Sequence, residues 1–81
     1  MEMSQIYDFT VIFNQTDEGG YNVSVPALPG CFTQGETLDE AKAMAEDAIR
    51  LYCHSLAADG EKIPQERGAF VGHIQVSALP A

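Results

Sequence analysis

The sequence predicts an α+β fold with two layers, in which one long helix packs across a three-stranded antiparallel sheet and a fourth strand follows the helix. Three observations predict it. Two short stretches of alternating apolar and polar residues flank a turn that contains two glycines, which is typical of a β-hairpin. A long run with apolar residues at three- and four-residue spacing has the period of an amphipathic helix. Another alternating stretch lies near the C-terminus.

The first predicted strand runs through residues 7–13, where aromatic and β-branched side chains, which favour strands, occupy every second position. Residues 17–20 form the hairpin turn, because their two closing glycines tolerate the positive φ angles that such loops require. Strands one and two should therefore pair antiparallel. Ile6 and Ile12 point to the opposite face of the sheet, so we expect that face to make a second contact.

The second predicted strand covers residues 21–25, and Pro26 ends it because proline cannot donate to a strand ladder. A Leu-Pro-Gly turn leads into a short returning strand at residues 31–34. Gly35 supplies a position at which the backbone can adopt a positive φ.

The helix is predicted to begin with a capping box. The Thr37 hydroxyl can accept a hydrogen bond from the Glu40 amide, while the Glu40 carboxylate reaches back to the Thr37 amide. Gly60 ends the helix as a C-terminal cap residue. The residues of its core-facing stripe are Leu38, Ala41, Ala45, Ala48, Ile49, Tyr52 and Leu56.

Met44 and Leu51 lie beyond the edge of this stripe, where a subunit contact could form. Together with Ile6 and Ile12, and with the small core of a short chain, they predict a homodimer or a tetramer built from dimers.

The last strand is predicted over residues 70–76 from an alternation along the chain. Phe70, Ile74 and Val76 alternate there with Val71, His73 and Gln75. Pro80 would stop it.

The chain has 81 residues, of which 46% are hydrophobic and 20% are charged, as expected for one folded domain spanning residues 1–81. The N-terminus has neither a basic segment nor an apolar run, so we predict no signal peptide, no membrane span and a cytoplasmic location. Cys31 and Cys53 do not make a disulfide framework and are expected to be buried thiols.

Twelve acidic and four basic residues give a net charge of −8. Affinity for nucleic acids comes largely from Lys and Arg, so we predict no direct binding to RNA or DNA. Such acidity favours either solubility alone or a surface that is complementary to a basic partner.

The stretch from Tyr21 to Ala41 reads Tyr-x-Val-x-Val-Pro-x-Leu-Pro-Gly-Cys-x-Thr-Gln-Gly-x-Thr-x-x-Glu-Ala. This pattern, continued by Ala48-Ile49, Gly60 and Ile63-Pro64, resembles the HicB family of type II antitoxins. The resemblance implies a partial ribonuclease H fold, with strand four beside strand one. It also implies a partner, because HicB proteins block HicA, a small basic ribonuclease toxin that cleaves messenger RNA.

The fold name raises an enzyme hypothesis. A ribonuclease H site needs several carboxylates around two Mg²⁺ ions. Asp8 could supply the first, and Glu46 or Asp47 the second, but no acidic residue follows Glu66 to supply the third. His54 and His73 have no spacing typical of a metal site. We therefore predict no enzymatic activity, no cofactor and no metal.

The resemblance to HicB proteins implies an antitoxin that masks a HicA-like toxin by occlusion, and the acidity of the chain predicts charge complementarity in that contact. The charged contact is expected on the helix start and its exposed side. Its candidate residues are Glu36, Asp39, Glu40, Glu46 and Asp47. Many HicB proteins continue into a helix-turn-helix or ribbon-helix-helix domain that binds their promoter. This chain ends at Ala81, so we expect a short form that does not bind the promoter. The alternative is an interaction or small-molecule-binding module of the same fold without a toxin partner.

Overall fold

The computed structural model of the chain describes residues 6–66, 68 and 70–79. Its elements are β1 (Ile12–Gln15), β2 (Tyr21–Ser24), β3 (Phe32–Gly35) and α1 (Leu38–Ala58). The strands form one antiparallel sheet in the order β1-β2-β3, and α1 covers one face of it, contacting β3 most and β2 less. The predicted α+β architecture of a three-stranded meander followed by one long helix is confirmed.

The β1–β2 hairpin closes through the predicted glycine turn. The Thr16 amide donates a hydrogen bond to the Gly20 carbonyl over 3.0 Å. Gly19 and Gly20 have φ angles of 85° and 98°, which residues with a Cβ rarely adopt. Phe13 then lies opposite Val23, which in turn lies opposite Thr33 of β3.

Strand β1 begins later than the alternation predicted. Its pairing with β2 ends at Ile12, which lies opposite Ser24. Val25, the residue after Ser24, leaves the sheet and donates its amide to the Cys31 carbonyl over 3.2 Å. Residues 7–11 therefore have no strand to pair with on that side. They still pack on the core, because Phe9 and Val11 contact its buried residues.

The core consists of two small clusters under the helix. One contains Val23, Ala41 and Ala45, and the other contains Val25, Leu28 and Cys31. The middle of the predicted helix stripe is confirmed, since Ala48, Ile49 and Tyr52 pack on the second cluster. Leu38 is wrong as a core residue. It is 41% exposed, whereas Ala41, one turn further along the helix, is fully buried.

Gly35 is required for a reason other than the expected one. Its φ is not positive. A Cβ at Gly35 would instead lie 2.5 Å from the Ala41 amide nitrogen and 2.6 Å from the Ala41 Cα, so the helix could not approach β3 as closely.

The helix start differs from the predicted capping box in one bond. The Thr37 Oγ1 accepts from the Glu40 amide over 3.1 Å, as expected. The Glu40 carboxylate accepts from the Glu36 amide over 2.9 Å rather than from the Thr37 amide. Thr37 has an extended backbone, so successive amides point to opposite sides of the chain and the carboxylate meets only one of them.

The predicted fourth strand is not formed. Residues 70–79 have no strand neighbour, and Phe70 and Ile74 are 98% and 90% exposed. A strand requires a neighbour with which to exchange backbone hydrogen bonds, and here the segment lies beside neither β1 nor β3. Elsewhere, no helix in the described parts of the chain is long and apolar enough to cross a lipid bilayer.

We expect Gly35→Ala to lower the free energy of unfolding by about 1–3 kcal/mol, because the new methyl group forces α1 away from β3. Urea denaturation would measure it. The matched control is Gly72→Ala, whose Cβ would meet no atom within 4 Å and should leave the midpoint unchanged. Equal midpoints for the two variants would contradict the close approach of α1 to β3.

Candidate functional site

An acidic cleft lies where the β1–β2 turn meets the start of α1. A Cβ on Gly20 would lie 3.0 Å from the Gly35 carbonyl oxygen, so this glycine lets the turn sit directly against the chain entering the helix. The cleft has a volume of about 560 Å³, and its carboxylates are those of Glu18, Glu36 and Glu40, with no Lys or Arg among the described residues that line it. We call this surface the acidic cleft.

The carboxylates of the helix start differ in their freedom. Glu40 is held in place by its bond to the Glu36 amide. The side chains of Glu36 and Asp39 are exposed and make no hydrogen bond or ion pair with the rest of the described chain. Acidic groups at a helix N-terminus also interact favourably with the helix dipole. The N-terminus of α1 can therefore hold several carboxylates close together, and a basic partner could bind them.

Glu46 and Asp47, also predicted as contact residues, lie apart from the acidic cleft. Arg50 binds both of them, at 2.7 Å from the Glu46 Oε1 and 3.1 Å from the Asp47 Oδ1. All three side chains are largely exposed. Exposed ion pairs contribute only about 0.2–1 kcal/mol each, but the guanidinium still neutralises part of the local charge. The five predicted residues therefore form two separate groups, of which the helix-start group is the more strongly acidic.

Glu18 is the residue that the sequence analysis missed. It sits in the turn that was recognised only for its glycines, and it reaches the cleft because the turn packs against Gly35. The only signal in the sequence was the Asp-Glu pair ahead of the two glycines.

A second concavity, the apolar groove, runs between residues 6–13 and α1. Its volume is about 790 Å³, and its apolar lining includes Phe9, Val11 and Ile49. Lys42, Glu46 and Arg50 of the helix stand along it, together with Asp8. The groove exists because α1 leans over β3 and β2 and leaves the β1 side of the sheet open.

Asp8 and Glu46 thus line the same groove, as the ribonuclease H comparison would require, but two basic side chains line it as well. Among the described residues, no group of three or more His, Cys, Asp or Glu side chains could hold a metal ion. The absence of metal and of catalysis stays a prediction.

The predicted subunit-contact residues are all exposed but do not form one patch. Ile6 is 92% exposed and lines the apolar groove, whereas Met44, 42% exposed, lines the acidic cleft. Leu51 is exposed on the helix. Ile12 pairs with Ser24 of β2, which pairs in turn with Phe32 of β3. Phe32 was not predicted as a contact residue.

Cys31 is buried in the core, and Cys53 is half-buried beside it. Burial raises the pKa of the Cys31 thiol above its ordinary value of 9.0, and repulsion from Cys53 raises it further. Burial also raises the pKa of Cys53. Both groups are therefore protonated at neutral pH, which makes them poor nucleophiles and metal ligands.

Residues 9–75 match the family described as the HicB-like antitoxin of bacterial toxin-antitoxin systems. This chain belongs to the HicB-like antitoxin family. The match covers the whole sheet and helix and extends into residues 70–75, so the resemblance predicted from residues 21–41 is confirmed.

Individual relatives agree with the family. A UPF0150 protein of Thermoplasma acidophilum is 52% identical over 58 residues, which are 72% of this chain and 84% of that protein. A UPF0150 protein of Synechocystis is 42% identical over 62 residues, 76% of this chain and 78% of its own length. A Photorhabdus laumondii protein named Antitoxin HicB 1 is 43% identical over 56 residues, 69% of this chain but 36% of that protein.

We expect Cys31 to react with iodoacetamide more slowly in the folded HicB-like chain than in the urea-unfolded chain at pH 8, because burial raises its pKa and limits access. Cys53→Ala leaves Cys31 as the sole thiol for mass spectrometry. Since the folded chain holds this proton more tightly, the thiol's contribution to stability should be complete below pH 9 and fall as the pH rises further. Equal rates in the folded and unfolded chains would contradict this account.

Proposed function

We propose that this protein is the antitoxin of a type II toxin-antitoxin system and that it binds and masks a HicA-like basic ribonuclease toxin. The family match over residues 9–75 is the observation that carries the proposal. The net charge of −8 supports a basic partner. Masking would take place in the cytoplasm, where such a toxin meets messenger RNA.

The acidic cleft is the surface proposed for the toxin. A ribonuclease that holds RNA through Lys and Arg presents positive charge on its RNA-contacting face. Glu18 and Glu36 of the cleft supply carboxylates that can meet those groups in place of phosphates, and Asp39 adds another at the adjoining start of the helix. The antitoxin would then act by covering the face on which RNA binds. It would need no chemical step of its own.

Exposed carboxylates of this kind act mainly on the rate of encounter. Each exposed ion pair contributes only about 0.2–1 kcal/mol, and salt screens it beyond a Debye length of about 8–10 Å. The summed charge of the cleft nevertheless attracts a basic protein from a distance. Salt should therefore slow association strongly and change dissociation little.

We also propose a role without catalysis. Arg50 binds the carboxylates of both Glu46 and Asp47, the two candidates for the helix carboxylate of a ribonuclease H site. A metal ion bound by either one would have to displace the guanidinium.

The purified protein should not cleave single-stranded RNA with Mg²⁺ or Mn²⁺ present, because the set of carboxylates is incomplete and partly paired. The assay is gel analysis of a labelled RNA, with Asp8→Ala run in parallel. Divalent-dependent cleavage that disappears in Asp8→Ala would show an enzyme and contradict the proposed role.

Reversing two cleft charges, Glu18→Lys with Glu36→Lys, should lower the association rate for the toxin by about tenfold or more at low salt. Glu40 is left unchanged because its carboxylate binds the Glu36 amide. The measurement is stopped-flow or surface-plasmon kinetics with the HicA-like toxin encoded next to this gene, at several salt concentrations.

The matched control is Asp59→Lys with Glu61→Lys, which makes the same change in net charge at the opposite end of the helix. Its association rate should fall much less. Both variants should stay folded by circular dichroism. If their association rates fall by the same factor, net charge alone steers the toxin and the acidic cleft is not its binding site. If no binding occurs with the unmodified protein, the toxin partner itself is wrong.

A further inference from the structure

The face of the sheet that α1 leaves uncovered carries no charged side chain on the described strands. Val23 is buried against Ala41 and Ala45 of the helix, so its neighbours Asn22 and Ser24 point to the opposite side of the sheet. The strand register places on that side the side chains of Ile12, Asn14, Asn22, Ser24, Phe32 and Gln34. None of these is Asp, Glu, Lys or Arg, although the chain has a net charge of −8. We call this surface the open face.

Two apolar side chains of the open face stand on either side of a small one. Ile12, Ser24 and Phe32 lie in one row across the three strands. Neighbouring strands are about 4.8 Å apart, so Ile12 and Phe32 stand about 10 Å from each other with only a serine between them. Phe32 is 72% exposed and Ile12 is 38% exposed. The gap over Ser24 is therefore wide enough for one apolar side chain of another molecule.

The next row of the open face supplies polar groups. Asn14, Asn22 and Gln34 lie side by side across the strands, and their side-chain amides make no hydrogen bond within the described part of the chain. Each amide can both donate and accept hydrogen bonds. An uncharged surface with an exposed aromatic ring has the composition of the centre of a protein–protein interface, where charged residues are scarce and aromatic residues are enriched.

The open face is continuous with the acidic cleft. Asn22 and Gln34 line that cleft, and the same two residues line a shallow concavity of about 430 Å³ beside Phe32. The described residues around this second concavity include no Asp, Glu, Lys or Arg. A single partner can therefore cover the carboxylates at one end and reach Phe32 at the other.

Charge decides which partner fits both surfaces. A second copy of this chain would bring its own acidic cleft and the same negative net charge to a face that borders carboxylates, and like-charge repulsion disfavours that approach. A basic protein complements the cleft, and an apolar side chain at the edge of its basic surface would meet the open face. The occupant that fits is a basic protein such as the proposed toxin.

We propose that the open face is the second part of the toxin-binding surface and that Phe32 is its anchor. An apolar side chain of the toxin seats over Ser24, between Phe32 and Ile12, while Lys and Arg side chains beside it meet the acidic cleft. This assigns Ile12 to the toxin instead of the subunit contact expected from the sequence. The inference rests on the proposed function, because it names further residues of the same surface.

The two parts of this surface act on different rates. The exposed carboxylates of the acidic cleft speed the encounter and contribute little to holding the complex. A few large side chains that become buried at the centre of an interface carry most of its binding energy. Phe32 therefore governs how long the complex lasts.

The test is the kinetics of binding to the toxin encoded next to this gene, by surface plasmon resonance. Phe32→Thr removes the ring but keeps a β-branched residue, which favours a strand. It should raise the dissociation rate about thirtyfold or more and change the association rate less than about threefold. Glu18→Lys with Glu36→Lys should show the opposite pattern, with slower association and little change in dissociation.

The matched control is Leu51→Ala. Leu51 is 74% exposed, close to the 72% of Phe32, but it lies on α1 on the other side of the sheet. Both of its rates should stay those of the unmodified protein. Phe32 lies outside both core clusters, so Phe32→Thr should keep its circular dichroism spectrum and thermal midpoint.

Ser24→Ile tests the seat without removing a contact. The larger side chain fills the gap between Ile12 and Phe32 and also favours a strand, so the chain stays folded while the toxin side chain loses its place. Dissociation should become about tenfold faster or more, because the added side chain clashes with the toxin. A complex that lasts as long as that of the unmodified protein, or longer, would overturn the proposed seat.

The remaining outcomes separate this inference from the proposed function. If the toxin binds but leaves Phe32→Thr at the rate of the unmodified protein, the open face is not part of its site, whereas the acidic cleft can still be. If Phe32→Thr lowers the mass of the free protein in sedimentation, a second copy covers the open face and the inference is wrong. If the unmodified protein does not bind the toxin, the proposed function fails and this inference fails with it.

Discussion

The packing of α1 on the sheet at a glycine and two alanines is the contact on which the rest of this structure depends. Gly35 has no side chain to separate β3 from Ala41, and Ala41 and Ala45 are buried against Val23. Small residues bring the helix close to the backbone, so the core is thin and consists of few side chains. The Tyr52 hydroxyl, which donates to the Pro29 carbonyl over 2.7 Å, ties the middle of the helix to the β2–β3 turn.

This close contact also determines where the two concave surfaces lie. Because α1 sits over β3 and β2, the flank beside β1 stays uncovered and the apolar groove opens there. Because the helix begins directly after β3, its first turn lies next to the β1–β2 turn, and the acidic cleft forms between them. One arrangement of helix and sheet thus separates a largely apolar groove from an acidic cleft.

The two surfaces differ in charge. The acidic cleft carries three carboxylates and no Lys or Arg among its described lining residues, and contacts with a basic protein are favoured where carboxylates concentrate. The apolar groove carries both signs of charge, since Asp8 and Glu46 stand along it beside Lys42 and Arg50.

The sequence by itself determined the local elements of this protein. The glycine pair at residues 19–20 predicted the hairpin, and Thr37 predicted the helix cap, because both act through neighbours in the chain. The family was also predicted from the pattern of residues 21–41, and the family match over residues 9–75 confirms it.

Only the tertiary structure decided the features that depend on which distant backbones meet. Glu18 joins the acidic cleft because Gly20 packs against Gly35. Glu46 lies along the apolar groove instead, where Arg50 binds it. The fourth strand could be predicted from alternation but does not form in the single chain, because alternation reports which side chains share a face and not whether a neighbouring strand is present. A strand pairs only when a second segment lies beside it, and the spacing of residues along one segment does not show whether such a segment is there.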